Sequence, residues 1–128
     1  MPSIQYAHIC EYARADQTGT VSIIGIFDTI HVKSVPANFP FIHVITSLSG
    51  QMGEQFQFQT RIAAPDGSLL QSAPLASITV HQDDARVNQI NGYIGLVFPM
   101  LGVYSVELVI NEMVVHTIPF RVAQRQSR

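Results

Sequence analysis

The sequence predicts an all-β fold, and two observations carry that prediction. Apolar and polar residues alternate with a period of two along much of the chain, and no stretch of helical length carries an apolar stripe with a period of 3.6 residues. Turn-forming residues separate the alternating runs at short intervals. About eight such strands, with no room for crossover helices, predict a two-sheet antiparallel sandwich; a small closed β-barrel is the alternative.

The first two strands are predicted to form a hairpin. Residues 4–13 alternate, residues 16–19 supply turn chemistry, and residues 21–27 form the second run. Gly25 inside that run predicts a bulge or a close approach of another part of the chain. Residues 35–40 contain two prolines, so we expect them to connect strands rather than join a central ladder.

The middle of the chain carries the clearest alternation. A strand is predicted at residues 41–48. In the next strand, one face is expected to be core and holds Phe56, Phe58, Thr60 and Ile62. The other face is expected to meet solvent and holds Gln55, Gln57, Gln59 and Arg61. The tripeptide Pro65-Asp66-Gly67 then predicts a tight turn.

Shorter runs follow this turn. Residues 68–72 and 75–81 predict two short strands, or one strand broken at Pro74. Another apolar run at residues 93–98 ends at Pro99.

The last two strands are predicted to form a hairpin at residues 103–110 and 113–122. If Asn111 and Glu112 are its whole loop, Glu107 lies directly opposite His116. A four-residue loop would shift that register.

Length and composition favour one compact domain. We expect a single sandwich over residues 1–123 and a flexible polar tail over residues 124–128. Charged residues make up 12% of the chain, about half the usual 25%, which argues against disorder. A net charge of −2 provides no basic field, so we expect no binding of nucleic acid.

Nothing in the sequence predicts a membrane segment. The most apolar stretch, residues 93–104, is interrupted by glycine and proline and is shorter than the roughly 20 residues that span a bilayer. No basic residue precedes an apolar segment at the N-terminus, so no signal peptide is expected. We therefore expect a cytoplasmic protein.

Several segments together resemble a known family. They are residues 7–12, residues 22–28, Pro65-Asp66-Gly67, Gly102-Val103-Tyr104 and residues 118–122. Their order and spacing resemble a family of small bacterial proteins known only as a domain of unknown function. The resemblance implies the fold and brings no activity with it. Leu101 stands where related members usually have proline.

Tyr104 is also similar to the corner tyrosine of immunoglobulin-like sandwiches, whose hydroxyl hydrogen-bonds back to the backbone upstream. The sandwich is therefore expected to be immunoglobulin-like. Simple packing of Tyr104 in the core is the alternative.

No constellation of reactive side chains is apparent. The five histidines are His8, His31, His43, His81 and His116, and no two have the spacing of a zinc motif. His31 and His43 could meet across adjacent strands. The acidic pair Asp83 and Asp84 is interpreted as a solvated turn, and Cys10 as an inert buried thiol. We expect no cofactor, no metal and no catalytic activity.

The leading functional hypothesis is a non-catalytic protein-interaction or assembly module that forms a homo-oligomer, most simply a dimer, or binds another protein. Its surface is expected on the outer face of the C-terminal hairpin, at Val109, Val114, Ile118 and Phe120. A weaker candidate is the uncharged stripe Gln55, Gln57 and Gln59. Residues 35–40 could instead fold over the hairpin within one chain. The other hypotheses are a small-ligand or carbohydrate module and an enzyme of unfamiliar type.

Overall fold

A computed structural model describes residues 2–125, which contain ten strands and no helix. The strands are β1 (Ser3–Ala15), β2 (Val21–Ile26), β3 (Thr29–Val32), β4 (Ala37–Ser49), β5 (Gln55–Ala63), β6 (Leu69–Ser72), β7 (Ala76–Thr79), β8 (Arg86–Phe98), β9 (Gly102–Ile110) and β10 (Met113–Gln124). They form two sheets, and neither closes on itself within the described residues. The predicted two-sheet all-β sandwich is confirmed.

One sheet has four strands in the order β2-β1-β4-β8. The other has six: the order β3-β10-β9-β5-β6, and β7, which also pairs with β5. Two features differ from the prediction. The described residues form ten strands rather than about eight, and β3 pairs with β10 in parallel rather than antiparallel. The parallel pair arises because the chain leaves the four-stranded sheet after β2 and crosses to the edge of the other sheet.

The core lies between the two sheets, and the alternation of β5 points into it as predicted. Phe56, Phe58, Thr60 and Ile62 are buried, while Gln55 and Gln57 are exposed. An aromatic cluster fills one end of the core. The ring centroid of Tyr104 lies 5.0 Å from that of Phe98 and 5.6 Å from that of Phe120. Burying each such side chain contributes roughly 1.5–3 kcal/mol.

A small polar network crosses the core and joins the two sheets. The Thr60 hydroxyl on β5 lies 2.7 Å from the Tyr93 hydroxyl on β8 and donates to Asn91 Oδ1 at 2.9 Å. Burial raises the pKa of Tyr93, so this hydroxyl stays protonated at neutral pH. The network satisfies polar groups that would otherwise be costly inside the core.

The prediction that residues 35–40 only connect strands is wrong. β4 begins at Ala37 and includes Pro40, which lies between Phe39 and Phe41, the partners of Leu96 and Ile94 on β8. Two features make the proline tolerable. β1 pairs with β4 only as far as His43, so the stretch at Pro40 is hydrogen-bonded on one side only. Gly95 has a φ of +67°, and the regular pairing between β4 and β8 skips this point.

The turns named in the sequence are present. Gly67 N–H donates to the Ala64 carbonyl at 2.9 Å, and the Asp66 carboxylate accepts from the Ser68 hydroxyl at 2.6 Å. The Tyr104 hydroxyl donates to the Met100 carbonyl at 2.7 Å, which is the corner hydrogen bond anticipated for this tyrosine. At Gly25, a Cβ atom would fall 2.7 Å from Glu11 Cδ, so the predicted close approach is also present.

The C-terminal hairpin has the predicted two-residue loop and a register that was not predicted. Asn111 and Glu112 have φ of +49° and +69°, and Ile110 pairs with Met113. A bulge between Val114 and His116 then shifts the pairing by one residue. Glu107 therefore lies opposite Thr117 rather than His116.

Strand β10 also runs further than the predicted domain boundary at residue 123. It ends at Gln124, whose side chain donates to the Lys33 carbonyl at 3.2 Å, and Arg125 N–H donates to the Val32 carbonyl at 2.6 Å. The rest of the predicted flexible tail, residues 126–128, lies outside the described residues.

Candidate interaction surface

The predicted surface on the C-terminal hairpin does not exist as one face. Phe120 is buried among the core aromatics, and Ile118 is half-buried and packs against the same core. Val109 lies on the outer face but is buried at the base of a depression. Only Val114 is both outward and exposed.

The bulge in β10 explains this outcome. One extra residue reverses the side that each following side chain takes. Val114 lies opposite Val109 before the bulge, whereas Phe120 lies opposite the buried Tyr104 after it. The prediction assumed unbroken alternation along the strand, so it placed Ile118 and Phe120 on the wrong face.

The glutamine stripe lies on the outer face of the six-stranded sheet, as predicted, but its neighbours are charged. Gln59 is opposite Val109 and donates from Nε2 to the Ala73 carbonyl at 2.8 Å. Next to it, Arg61 Nε lies 2.5 Å from Glu107 Oε1. Gln55 and Gln57 are exposed. This face is therefore a mixed polar surface with one partly exposed ion pair.

The extensive apolar surface is on the other sheet. The core side of the four-stranded sheet is formed by residues such as Ile9, Ile42 and Val44. The alternate residues point outward and fall into three rows across the strands. One row is Ile26, Cys10, His43 and Gly92, and another is His8, Ile45 and Ile90. The third row has two separately paired halves, because β1 and β4 no longer pair there: Ile24 lies opposite Tyr12, and Phe41 lies opposite Ile94. We call this surface the apolar face.

Five large apolar side chains on the apolar face are exposed to solvent. Their exposed fractions are Tyr12 43%, Ile24 58%, Ile26 58%, Phe41 37% and Ile94 72%. None of the eleven positions in the three rows is Asp, Glu, Lys or Arg. Contiguous exposed apolar surface of this kind is typical of a contact with another macromolecule.

His43 lies at the centre of the apolar face and is buried. Its ring centroid lies 4.3 Å from that of Phe41 and 5.2 Å from that of Tyr12, both edge-on. Its Nδ1 is 3.3 Å from the Glu11 carbonyl, which fixes the ring against the sheet. The rings of Tyr12 and Phe41 therefore enclose His43 at the centre of this surface.

Cys10 sits beside His43 under the same surface. It is fully buried, and its Sγ lies 3.6 Å from the His43 carbonyl oxygen. Burial raises the pKa of the Cys10 thiol, so it is protonated at neutral pH. This agrees with its interpretation as an inert thiol. Cys10 packs with Ile45 and Ala13 in a small cluster separate from the main core.

The sequence contained a signal for the apolar face. Residues 21–27 are apolar at both odd and even positions, and so is the run 93–98. A strand that is apolar on both sides needs cover on both sides. In the C-terminal hairpin, by contrast, the bulge in β10 turns Ile118 and Phe120 toward the core.

The other predicted sites are dispersed. His31 lies on β3 and His43 on β4, in different sheets, so these two do not meet across adjacent strands. The Asp83 carboxylate accepts from Met52 N–H at 2.7 Å, which ties two loops together and agrees with its interpretation as a turn. Within residues 2–125, no three His, Cys, Asp or Glu side chains converge to hold a metal ion.

Surface depressions occur on the six-stranded sheet. One of about 340 Å³ lies between β5, β7 and the β9–β10 turn. Another of about 210 Å³ is bounded by Gln57, Gln59, Arg61, Leu75, Val109 and Glu112.

Among the described residues there is no helix long and apolar enough to cross a membrane.

Comparison with known proteins identifies the family. Residues 5–123 match the model of a family of unknown function, DUF6941. The chain belongs to this family. The match confirms the resemblance to an uncharacterised domain, and it spans both sheets and the apolar face. No curated protein matches the sequence significantly.

A solved structure supports the fold. The chain is similar to part of the Pseudomonas fluorescens alkylpurine DNA glycosylase AlkC bound to DNA containing an abasic site analog, with a TM-score of 0.52 and 9% sequence identity. The similarity covers 94% of this chain and 30% of the glycosylase chain. At this identity the likeness concerns the fold alone.

Proposed function

We propose that the protein is a non-catalytic interaction module that self-associates through the apolar face. The observation that carries this proposal is the set of five exposed apolar side chains in adjacent rows of one sheet. Burying them against a second copy removes apolar area from water, at about 25 cal/mol per Å². The composition predicts a homo-oligomer, and we place its contact on the four-stranded sheet instead of the C-terminal hairpin.

The size of the apolar face fits the centre of an interface. Three rows about 7 Å apart, across four strands about 5 Å apart, cover roughly 400 Å². A standard interface buries about 800 Å² on each partner, so neighbouring positions must contribute. The adjacent row on one side is polar and exposed, because Arg14 pairs with Ser22 there. An apolar centre with a polar rim is the usual composition of protein interfaces.

A second copy suits this surface because the apolar face has no Asp, Glu, Lys or Arg. Two identical faces can pack without burying an unpaired charge and without like charges meeting. A cytoplasmic location suits a chain whose single thiol has no partner for a disulfide.

DNA binding is not carried over from the glycosylase. The chain has seven Lys and Arg against nine Asp and Glu, so it offers no net attraction to a phosphate backbone.

The test is a charge placed on the apolar face, at an exposed apolar position of its edge strand β2. Ile24→Lys puts an ammonium group on the apolar face, and burying it in the interface would cost several kcal/mol. We expect light scattering at micromolar concentration to give more than one chain for the unmodified protein and a lower mass for Ile24→Lys. Circular dichroism checks that the variant is folded.

Leu69→Lys is the matched control, since Leu69 is 55% exposed but lies on β6 of the other sheet. Its mass should equal that of the unmodified protein. A monomeric unmodified protein, or the same mass change for both lysine variants, would refute self-association through the apolar face.

A further inference from the structure

The edge strand β8 has a side with no partner. It is 13 residues long and pairs along nearly its whole length with β4, and no other strand within residues 2–125 pairs with its far side. The remaining edge strands are short. β2 has six residues, and β3, β6 and β7 have four each. Short edges are a common protection against pairing with other chains, and β8 lacks it.

The sequence of β8 lacks the other usual protections as well. Residues 87–98 contain no charged residue and no proline. Lysines, prolines and inward-pointing charges commonly prevent a free edge from pairing. One interruption is present, because Gly95 kinks the strand. The stretch before that kink, residues 87–94, is regularly paired to β4 and thus holds its outer backbone groups in extended geometry.

We propose that β8 pairs with β8 of a second copy. The two strands run antiparallel about a two-fold axis perpendicular to the sheet, so two four-stranded sheets become one continuous sheet of eight strands. Antiparallel pairing of a strand with itself places identical residue types symmetrically about the axis. A charged strand would then bring like charges together, whereas residues 87–94 bring none.

This contact uses a different surface from the apolar face and does not depend on it. Edge pairing leaves the two apolar faces side by side on the same surface of the joined sheet, still open to solvent. A chain with both contacts has two different two-fold interfaces, which build a closed group of four chains when the axes meet at right angles. The edge contact therefore takes the assembly beyond the dimer that face packing alone would give.

The experiment isolates the edge by working in the Ile24→Lys background, where the face contact is disabled. We expect this variant to be a dimer by sedimentation equilibrium. Adding Gln89→Lys should give a monomer, because it places two ammonium groups within a few residues of each other across the paired edges. Gln89 is half-buried and lies opposite Thr46, on the side of β8 away from Ile90 and the apolar face.

Gln89→Ala is the neutral control and should leave the Ile24→Lys dimer intact. Gln89→Glu should give a monomer alone and a heterodimer when mixed with the Gln89→Lys chain. Restoration by opposite charges cannot result from simple unfolding. Hydrogen exchange in residues 86–98 should also slow as the concentration of the dimer rises.

The outcomes separate the two proposals. An Ile24→Lys chain that is already monomeric at high micromolar concentration would overturn the edge contact and leave the apolar face standing. Equal masses for the unmodified and Ile24→Lys chains, with Gln89→Lys still splitting both, would overturn the face and support the edge. Loss of the dimer with Gln89→Ala, or failure of the mixed charges to associate, would also overturn the edge contact.

Discussion

Gly102 is the residue at which two separate turns of the chain meet. Its φ is +134°, and a Cβ atom there would lie 3.0 Å from Cγ of Pro65 in the preceding turn segment. We expect Gly102→Ala to lower the free energy of unfolding by about 1–3 kcal/mol, because alanine is strained at this backbone φ and its methyl group must displace the proline ring. Urea denaturation followed by circular dichroism measures the loss.

Gly67→Ala is the control for backbone strain alone. Gly67 has a φ of +87°, but nothing lies within 4 Å of its added Cβ. Pro65→Ala in the Gly102→Ala background should recover part of the loss, since it removes the ring that the new methyl group meets. Equal losses in the two glycine variants, with no recovery, would show that the contact with Pro65 contributes nothing.

At the scale of one element, β5 carries a test of side-chain alternation. Phe58 is buried in the core, and its neighbour Gln57 is exposed on the opposite face. Phe58→Ala should cost about 3–5 kcal/mol, because it removes buried atoms and leaves a cavity. Gln57→Ala should cost less than about 0.5 kcal/mol. Denaturant unfolding of both variants makes the comparison, and similar losses would contradict this packing.

Elements whose local sequence pattern is unbroken, such as a strand with regular side-chain alternation, could be predicted from the sequence. β5 is the clearest example, because Phe58 and Gln57 obey a single period from end to end. The two-residue loop of the C-terminal hairpin could also be predicted, since Asn111 tolerates positive φ. In both cases the information is local, so no knowledge of the rest of the fold was needed.

Elements whose pattern changes phase could not be predicted. The bulge after Val114 turns Phe120 into the core, and nothing in its own sequence marks the extra residue. Pro40 joined a strand because β1 no longer pairs with β4 there. The parallel pairing of β3 with β10 joins segments about 90 residues apart. Each feature depends on contacts between distant segments, which alternation along one segment does not contain.

At the scale of the whole molecule, the sequence indicated that apolar surface exceeds what one interior can hold, but it did not locate the excess. Charged residues are scarce everywhere, so composition alone treats both sheets alike. The cross-strand register decides the location, because it aligns Ile24 with Tyr12 and Phe41 with Ile94 on one face. The ion pair between Arg61 and Glu107 places charged groups on the outer face of the other sheet.

The response of the assembly to salt and temperature distinguishes apolar contacts from contacts between charged groups. The proposed contacts are apolar side chains and backbone hydrogen bonds, and neither uses an ion pair. Raising NaCl from about 0.1 M to 1 M shortens the screening length from about 10 Å to 3 Å, which would weaken a contact that depended on exposed charges. We expect the association constant, measured by sedimentation equilibrium, to stay constant or rise. Association should weaken on cooling and show a negative heat-capacity change, since apolar burial produces that signature.

Two further variants decide which sheet is responsible. Glu107→Gln and Val114→Asp alter the outer face of the six-stranded sheet, and both should leave the mass and its salt dependence unchanged. Dissociation in 1 M NaCl, or loss of assembly in either variant, would move the contact to the sheet that carries Arg61 and the glutamine stripe. If both variants keep the mass of the unmodified protein while Ile24→Lys has a lower mass, the face contact lies on the four-stranded sheet, where the cross-strand register places the exposed apolar side chains.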